Sequence, residues 1–137
     1  MIITLADYYH GNDKLYPLQL STDLIRNAVV TVRLTNDMLA ILAQFGIKVE
    51  APIVNSGWRP PAVNAATPGA ALRSKHMLCQ AIDVHDPEGL IDNWLMTPQG
   101  QDALTKIGIW LEHPSATKGW SHWQTVPPGS GNRVFYP

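Results

Sequence analysis

The sequence predicts an α+β fold in which a small antiparallel sheet packs against helices. Three observations predict it: one long segment of helical period in the first third of the chain, short apolar and aromatic runs bounded by Pro and Gly further on, and two helix starts of the Asp-Pro or Thr-Pro kind between those runs. The long segment opens at Ser21 or Thr22, whose hydroxyl can cap a helix, and continues through Leu24, Ile25, Ala28, Val29, Val32, Leu39 and Leu42 until Gly46 stops it. Ala51 to Asn55 is a short apolar run bounded by Pro52 and the turn-forming Ser56-Gly57, and reads as a buried strand. A short helix is expected over 60–64. Asp86-Pro87 supplies a cap and a first turn for a helix through Trp94, and Thr97-Pro98 opens another that reaches about Lys106. Ile107 to Leu111 and Trp120 to Val126 are apolar and aromatic enough to be strands. Gly129-Ser-Gly131 is a turn, lacking the Gly-rich spacing and following helix of a phosphate loop, and the terminal Asn132 to Pro137 reads as a last strand or an arm over the core. The Asp7 to Asp13 segment fits either a lid or an N-terminal turn.

At 137 residues and 45% hydrophobic, the chain fits one domain that buries about two-thirds of its unfolded surface, with a helical part over 1–48 and a core over 49–137. The formal net charge is -1, from ten basic and eleven acidic residues scattered along the chain. That balance offers no footprint for a nucleic-acid backbone or an anionic membrane, so neither is expected as a partner. No stretch approaches the roughly 18 apolar residues that span a bilayer, and Met1 to Tyr9 is short, acidic and aromatic rather than a signal peptide. Cys79 is the single cysteine, which excludes an internal disulfide and a Cys-rich cluster. A metal would therefore be held by His and carboxylate.

The segment Ser74-Lys-His76-Met-Leu-Cys-Gln-Ala81-Ile-Asp83-Val-His85-Asp86 sets a histidine on a loop and an aspartate on a strand, with the small Ala81 leaving room beside them. A catalytic zinc site wants three protein ligands at about 2.0–2.2 Å and an open fourth position. His76 and Asp83 are candidates for two, and His122, central in Trp120-Ser-His-Trp-Gln124, is a candidate for the third. Read alone, each histidine also fits a hydrogen-bonded core residue, and spacing leaves both readings open.

Ser74-x-His76-x6-Asp83 followed downstream by Trp120-x-His122 resembles the zinc D-alanyl-D-alanine carboxypeptidase family, whose relatives include phage L-alanyl-D-glutamate endolysins and the Hedgehog signalling domain. A further block, Ser56-Gly-Trp58-Arg59 followed by Asn64, is similar to the segment the family carries upstream of its first ligand. The resemblance covers about residues 52 to 137. It implies a sheet that carries the metal site, one Zn2+ per chain on His76, Asp83 and His122, and a peptidase acting on peptidoglycan stem peptides as a monomer. It implies Arg59 as the cation facing a substrate carboxylate or oxyanion, Ser74 and Trp58 as substrate-binding residues, and Asn64 as a structural residue fixing a turn. Several members place a carboxylate three residues before the last histidine, where this chain has Gly119. Glu112, which resembles the glutamate that a phage-associated branch carries at the end of its penultimate strand, is then the expected general base, with His113 behind it. His85 and Asp86 are expected to support ligands or cap the next helix. Cys79 stands where the commoner pattern has glycine, and is expected to be a buried small hydrophobe. With no signal peptide read in the chain, the expected location is cytoplasmic until release to the cell wall, or on a virion. The Hedgehog relatives also imply an alternative, a non-catalytic cell-wall-binding or phage structural module.

Overall fold

The computed structural model describes residues 2–137, whose order is α1 (Leu5–Tyr9), α2 (Asn12–Leu15), α3 (Thr22–Gln44), β1 (Val54–Ser56), α4 (Pro61–Ala66), β2 (Ala81–Asp86), α5 (Leu90–Leu95), α6 (Pro98–Ile107), β3 (Trp110–Glu112), β4 (Gly119–Gln124) and β5 (Val134–Phe135). The fold is α+β. Local chemistry sets the helix ends. Ser21 Oγ accepts the Leu24 N–H at 3.3 Å to start α3, and Thr97 Oγ1 accepts the Gly100 N–H at 3.2 Å to start α6. Gly108, at φ 91°, closes α6. That left-handed residue corrects the strand expected over 107–111: Ile107 is helical and β3 begins at Trp110. The helix expected from Asp86 likewise begins at Leu90, after a turn, because Asp86 is the last residue of β2. Its carboxylate nonetheless reaches forward to accept the N–H groups of Ile91 and Asp92 at 3.0 Å each, capping α5 from the strand. The segment Asp7 to Asp13 is no lid: most of it belongs to α1 and α2, and Tyr8 and Tyr9 are buried.

The five strands lie in the order β1-β2-β4-β3-β5. All neighbours are antiparallel except β3 and β5, so the sheet is mixed rather than antiparallel throughout. The chain leaves β4, turns through 127–131 and comes back along the free edge of β3 in the same direction. The Leu111 N–H donates to Arg133 O at 2.8 Å and the His113 N–H to Phe135 O at 2.7 Å. No helix among the described residues is long and apolar enough to cross a membrane.

Strand alternation sends Ile82, Val84, Leu111 and Trp123 into the core, where they join Met38 and Leu42 of α3, Ile91 and Leu95 of α5 and Leu104 of α6. The alternate residues of β2 and β4 occupy the opposite face. One row crosses all five strands there. Ser56 pairs with Asp83, Asp83 with His122, and Glu112 with Phe135. The β3–β4 register, continued by one residue, sets Glu112 across from His122.

Behind this row, Asp92 ties α5 to the loop before β4: it is 3% exposed, and its Oδ2 accepts the Thr117 hydroxyl at 3.0 Å. Its Oδ1 is buried without a partner. Burial lifts its pKa to about 6 against the hydrogen bonds of Ser121 and Thr117, with the charges of Asp86 and Glu112 adding to the rise. Because the folded protein then holds this proton at a pH where the unfolded chain has released it, stability falls as pH rises from about 4 to about 6 and levels off above. Asp92→Asn cannot ionise, so it should match the wild type near pH 4 and exceed it by about 2 kcal/mol at pH 7 in chemical denaturation. An equal stability difference at both pH values would refute the buried-proton account.

Candidate metal centre

Three segments deliver the candidate ligands. Ser74 caps a single 3-10 turn over Lys75–Leu78, its Oγ accepting the His76 N–H at 3.2 Å, and this fixes His76 just ahead of β2. Asp83 lies mid-strand in β2 and His122 is its direct partner in β4. His76 is 1% exposed, and the side chains of Asp83 and His122 are 13% and 12% exposed. His76 Nε2 stands 3.3 Å from Asp83 Oδ2, His122 Nδ1 stands 2.7 Å from Asp83 Oδ1, and the two imidazole centroids are 5.3 Å apart. One ligand atom from each residue falls within 4.8 Å of the others.

The outer ring nitrogens define the tautomers. His76 Nδ1 is 2.7 Å from Gly57 O, a carbonyl that can only accept, so Nδ1 carries the proton and Nε2 presents a lone pair. His122 Nε2 is 3.2 Å from Gln124 Oε1, and the amide is turned that way because its Nε2 donates to Val126 O at 3.4 Å. Neutral His122 therefore presents a lone pair at Nδ1. Two lone pairs thus face one carboxylate, and His76 Nε2 is buried without a hydrogen-bond partner. A cation or a proton has to sit between them. Burial pushes the pKa of His76 down, beyond what Asp83 restores, so His76 stays neutral. For His122 burial also disfavours the charge, but the hydrogen bond and charge of Asp83 win and raise its pKa. Asp83 is held well below the usual carboxylate range: burial raises it, and the two histidines more than reverse that. Two imidazoles and a carboxylate with outer nitrogens bonded to a carbonyl and an amide fit zinc, with a fourth position left for water.

The other expected site residues fall into two groups. Glu112 is half-buried in the same row, with no hydrogen bond or ion pair from its carboxylate among the described residues. Burial raises its pKa, His122 opposes that and Asp83 adds to it, so its charge senses both ligands. Arg59 follows β1, its N–H donating to His76 O at 3.2 Å and its Nη2 approaching Ser74 Oγ at 3.4 Å, while its Nε is buried without a partner. Burial lowers its pKa and the Asp83 charge acts against that. Ser74 is 7% exposed, its oxygen accepting from both His76 and Arg59, so it braces the site from beneath. Trp58, expected to bind substrate, is 1% exposed, with its ring edge-on to Tyr9 in the core.

Asn64 is buried and donates to Ala71 O at 2.9 Å, bridging the loop after α4. Cys79 is fully buried, and burial pushes its thiol up to about 12. His113 is turned into its own loop, its Nδ1 accepting the Ser115 N–H at 3.1 Å and its ring stacked on Tyr136. His85 pairs with Trp120 one turn of the pleat from the ligand pair. Gly119 opens β4 at φ 100°, a backbone conformation that disfavours the side chain of a carboxylate there. Gln124 and Gly57, which orient the two histidines, were not singled out by the sequence. Gln124 carries a signal after the fact, since it follows His122 by two in a strand and shares its face; Gly57 lies in the Ser56-Gly-Trp58-Arg59 block, but nothing there marks its carbonyl as the partner of His76.

Gln124→Leu keeps the volume and removes the acceptor for His122 Nε2. Its zinc affinity, read by competition with a chromophoric chelator, should fall about tenfold or more. Wild-type affinity in this variant would show that the Nε2 hydrogen bond does not set the ligand tautomer.

The family model for Peptidase M15 matches residues 14–110, a span that holds Arg59, Ser74, His76 and Asp83 and ends before Glu112 and His122. No curated protein and no solved structure matches the chain. With well over half of its length matched, this chain belongs to the Peptidase M15 family of zinc metallopeptidases.

Proposed function

We propose that this protein hydrolyses peptide bonds in the stem peptides of bacterial peptidoglycan, as a carboxypeptidase removing terminal D-Ala or an endopeptidase cutting L-Ala from D-Glu, with one zinc held by His76, Asp83 and His122. The observation that carries the reading is the convergence of two imidazole lone pairs on one carboxylate, with His76 Nε2 left partnerless. When bound there, zinc supplies the Lewis acidity that lets water attack near neutral pH and polarises the scissile carbonyl. The protein's residues do the rest. The Glu112 carboxylate, free of partners and in the row of His122, takes the proton released as the water oxygen bonds to the carbonyl carbon. It returns that proton to the nitrogen as the C–N bond breaks. Arg59, approaching from the β1 side with an unpartnered Nε, donates to the oxygen on which negative charge develops, or to a substrate carboxylate. Ser74 holds Arg59 and the His76 turn in place.

A second reading, a non-catalytic wall-binding or phage structural module of the same fold, draws on Gly119 standing where several members of the resembled family carry a carboxylate. Glu112 decides between them. Purified peptidoglycan is the substrate of the test, with released fragments identified by mass, which names the bond. Glu112→Gln is expected to retain one zinc per chain and to lose hydrolysis by about 10²–10⁴-fold. His122→Ala is expected to lose both zinc and product. Wild-type rates from Glu112→Gln would remove Glu112 from the mechanism, and a zinc-loaded wild type that releases no fragment would transfer the case to the non-catalytic module.

A further inference from the structure

The N-terminal helix lies outside the span matched by the family, yet it is tied to the strand that carries Asp83 and to the segment whose carbonyl orients His76. Tyr8 is fully buried, and its phenol donates to Ala81 O at 2.8 Å. Ala81 opens β2 two residues before Asp83. The main-chain carbonyl of Tyr8 accepts the Trp58 N–H at 3.2 Å, next to Gly57, whose own carbonyl accepts from His76 Nδ1. The approach at Gly57 is close enough to exclude any side chain: a Cβ there would lie 1.9 Å from Tyr8 O and 2.8 Å from Tyr8 C. Asn12 adds a third tie, its Nδ2 donating to Trp58 O at 3.1 Å.

We propose that Tyr8 is a positioning residue of the metal centre, bracing the Asp83 strand through its phenol and the His76 acceptor through its carbonyl. The proposal rests on the reading of His76, Asp83 and His122 as the zinc site. The physical reason is that the Gly57 carbonyl selects the His76 tautomer only if the 56–58 backbone is fixed. That segment follows a three-residue edge strand with a bulged register, which by itself fixes it poorly. Tyr8 and Asn12 supply what the edge strand lacks. This also accounts for burial of a tyrosine whose hydroxyl faces a strand carbonyl rather than solvent.

Tyr9, also buried at 6% exposure, has no hydroxyl hydrogen bond among the described residues, so Tyr9→Phe makes the same chemical change away from the ligands. Zinc dissociation constants measured by chelator competition should rise about tenfold in Tyr8→Phe and stay within about twofold of wild type in Tyr9→Phe. Equal affinities in the two variants would overturn the proposal, because a merely structural tyrosine lowers stability without moving zinc affinity selectively. Should Tyr8→Phe fail to fold, Asn12→Ala decides: weakened zinc binding supports the brace, and wild-type binding overturns it. The wild-type arm separates the two readings, since absence of zinc binding there fails the metal assignment. The brace is then read in the zinc-free protein from the His76 Nδ1–H proton resonance, which should be retained in wild type and Tyr9→Phe and lost to exchange in Asn12→Ala. Retention in all of them would overturn it.

Discussion

Asp83 is an ionised carboxylate placed mid-sheet between two imidazoles, and taking such a charge out of water costs several kcal/mol unless positive charge meets it. The surroundings of Asp83 follow from that constraint. His76 cannot provide the charge, because burial holds it neutral and its proton is committed to Gly57. His122 can, by taking a proton on Nδ1, and its pKa is raised accordingly. The same position accepts a metal ion once that proton leaves, so zinc binding here is coupled to proton release. A buried aspartate surrounded by lone pairs is thus a stable arrangement only with a cation at its centre.

The sheet is built so that this arrangement can exist beside an open face. Core residues from β2, β3 and β4 all point toward α3, α5 and α6, which leaves the alternate residues of β2 and β4 free of the helices. Pairing across strands then places Asp83 against His122 by register alone. Glu112 approaches from β3 and Arg59 from the loop after β1, so an acid and a cation flank the ligands from opposite sides. The short β5 covers the outer edge of β3, and Phe135 stands edge-on to His122 with ring centroids 6.3 Å apart. An apolar ring at that position excludes water from one side of the ligand and strengthens its electrostatics.

Much of this was legible in the sequence, and the parts that were follow from local chemistry. Ser21 and Thr97 cap the helices that they head, because a hydroxyl acceptor and the first free N–H groups are neighbours along the chain. His76, Asp83 and His122 were readable as a group through their resemblance to a known arrangement of residues. Gly108 ends a helix and does not sit inside a strand, through a left-handed backbone that its apolar neighbours do not announce. The rest depends on distant parts of the chain. The parallel pairing of β5 leaves no periodic trace in two residues. Trp58 packs edge-on to Tyr9, nearly fifty residues away, a neighbour that the resemblance does not imply. The support that Tyr8 gives to Ala81 spans 73 positions, and no spacing rule could reveal it.

The central claim, that the atoms around Asp83 form a zinc site, is most directly tested by anomalous diffraction at the zinc edge from crystals of the zinc-loaded protein. One peak is expected at bonding distance from His76 Nε2, an Asp83 carboxylate oxygen and His122 Nδ1, with Gly57 O and Gln124 Oε1 still hydrogen-bonded to the outer ring nitrogens. A peak elsewhere, bonding through His122 Nε2, or no peak at these three residues would contradict it.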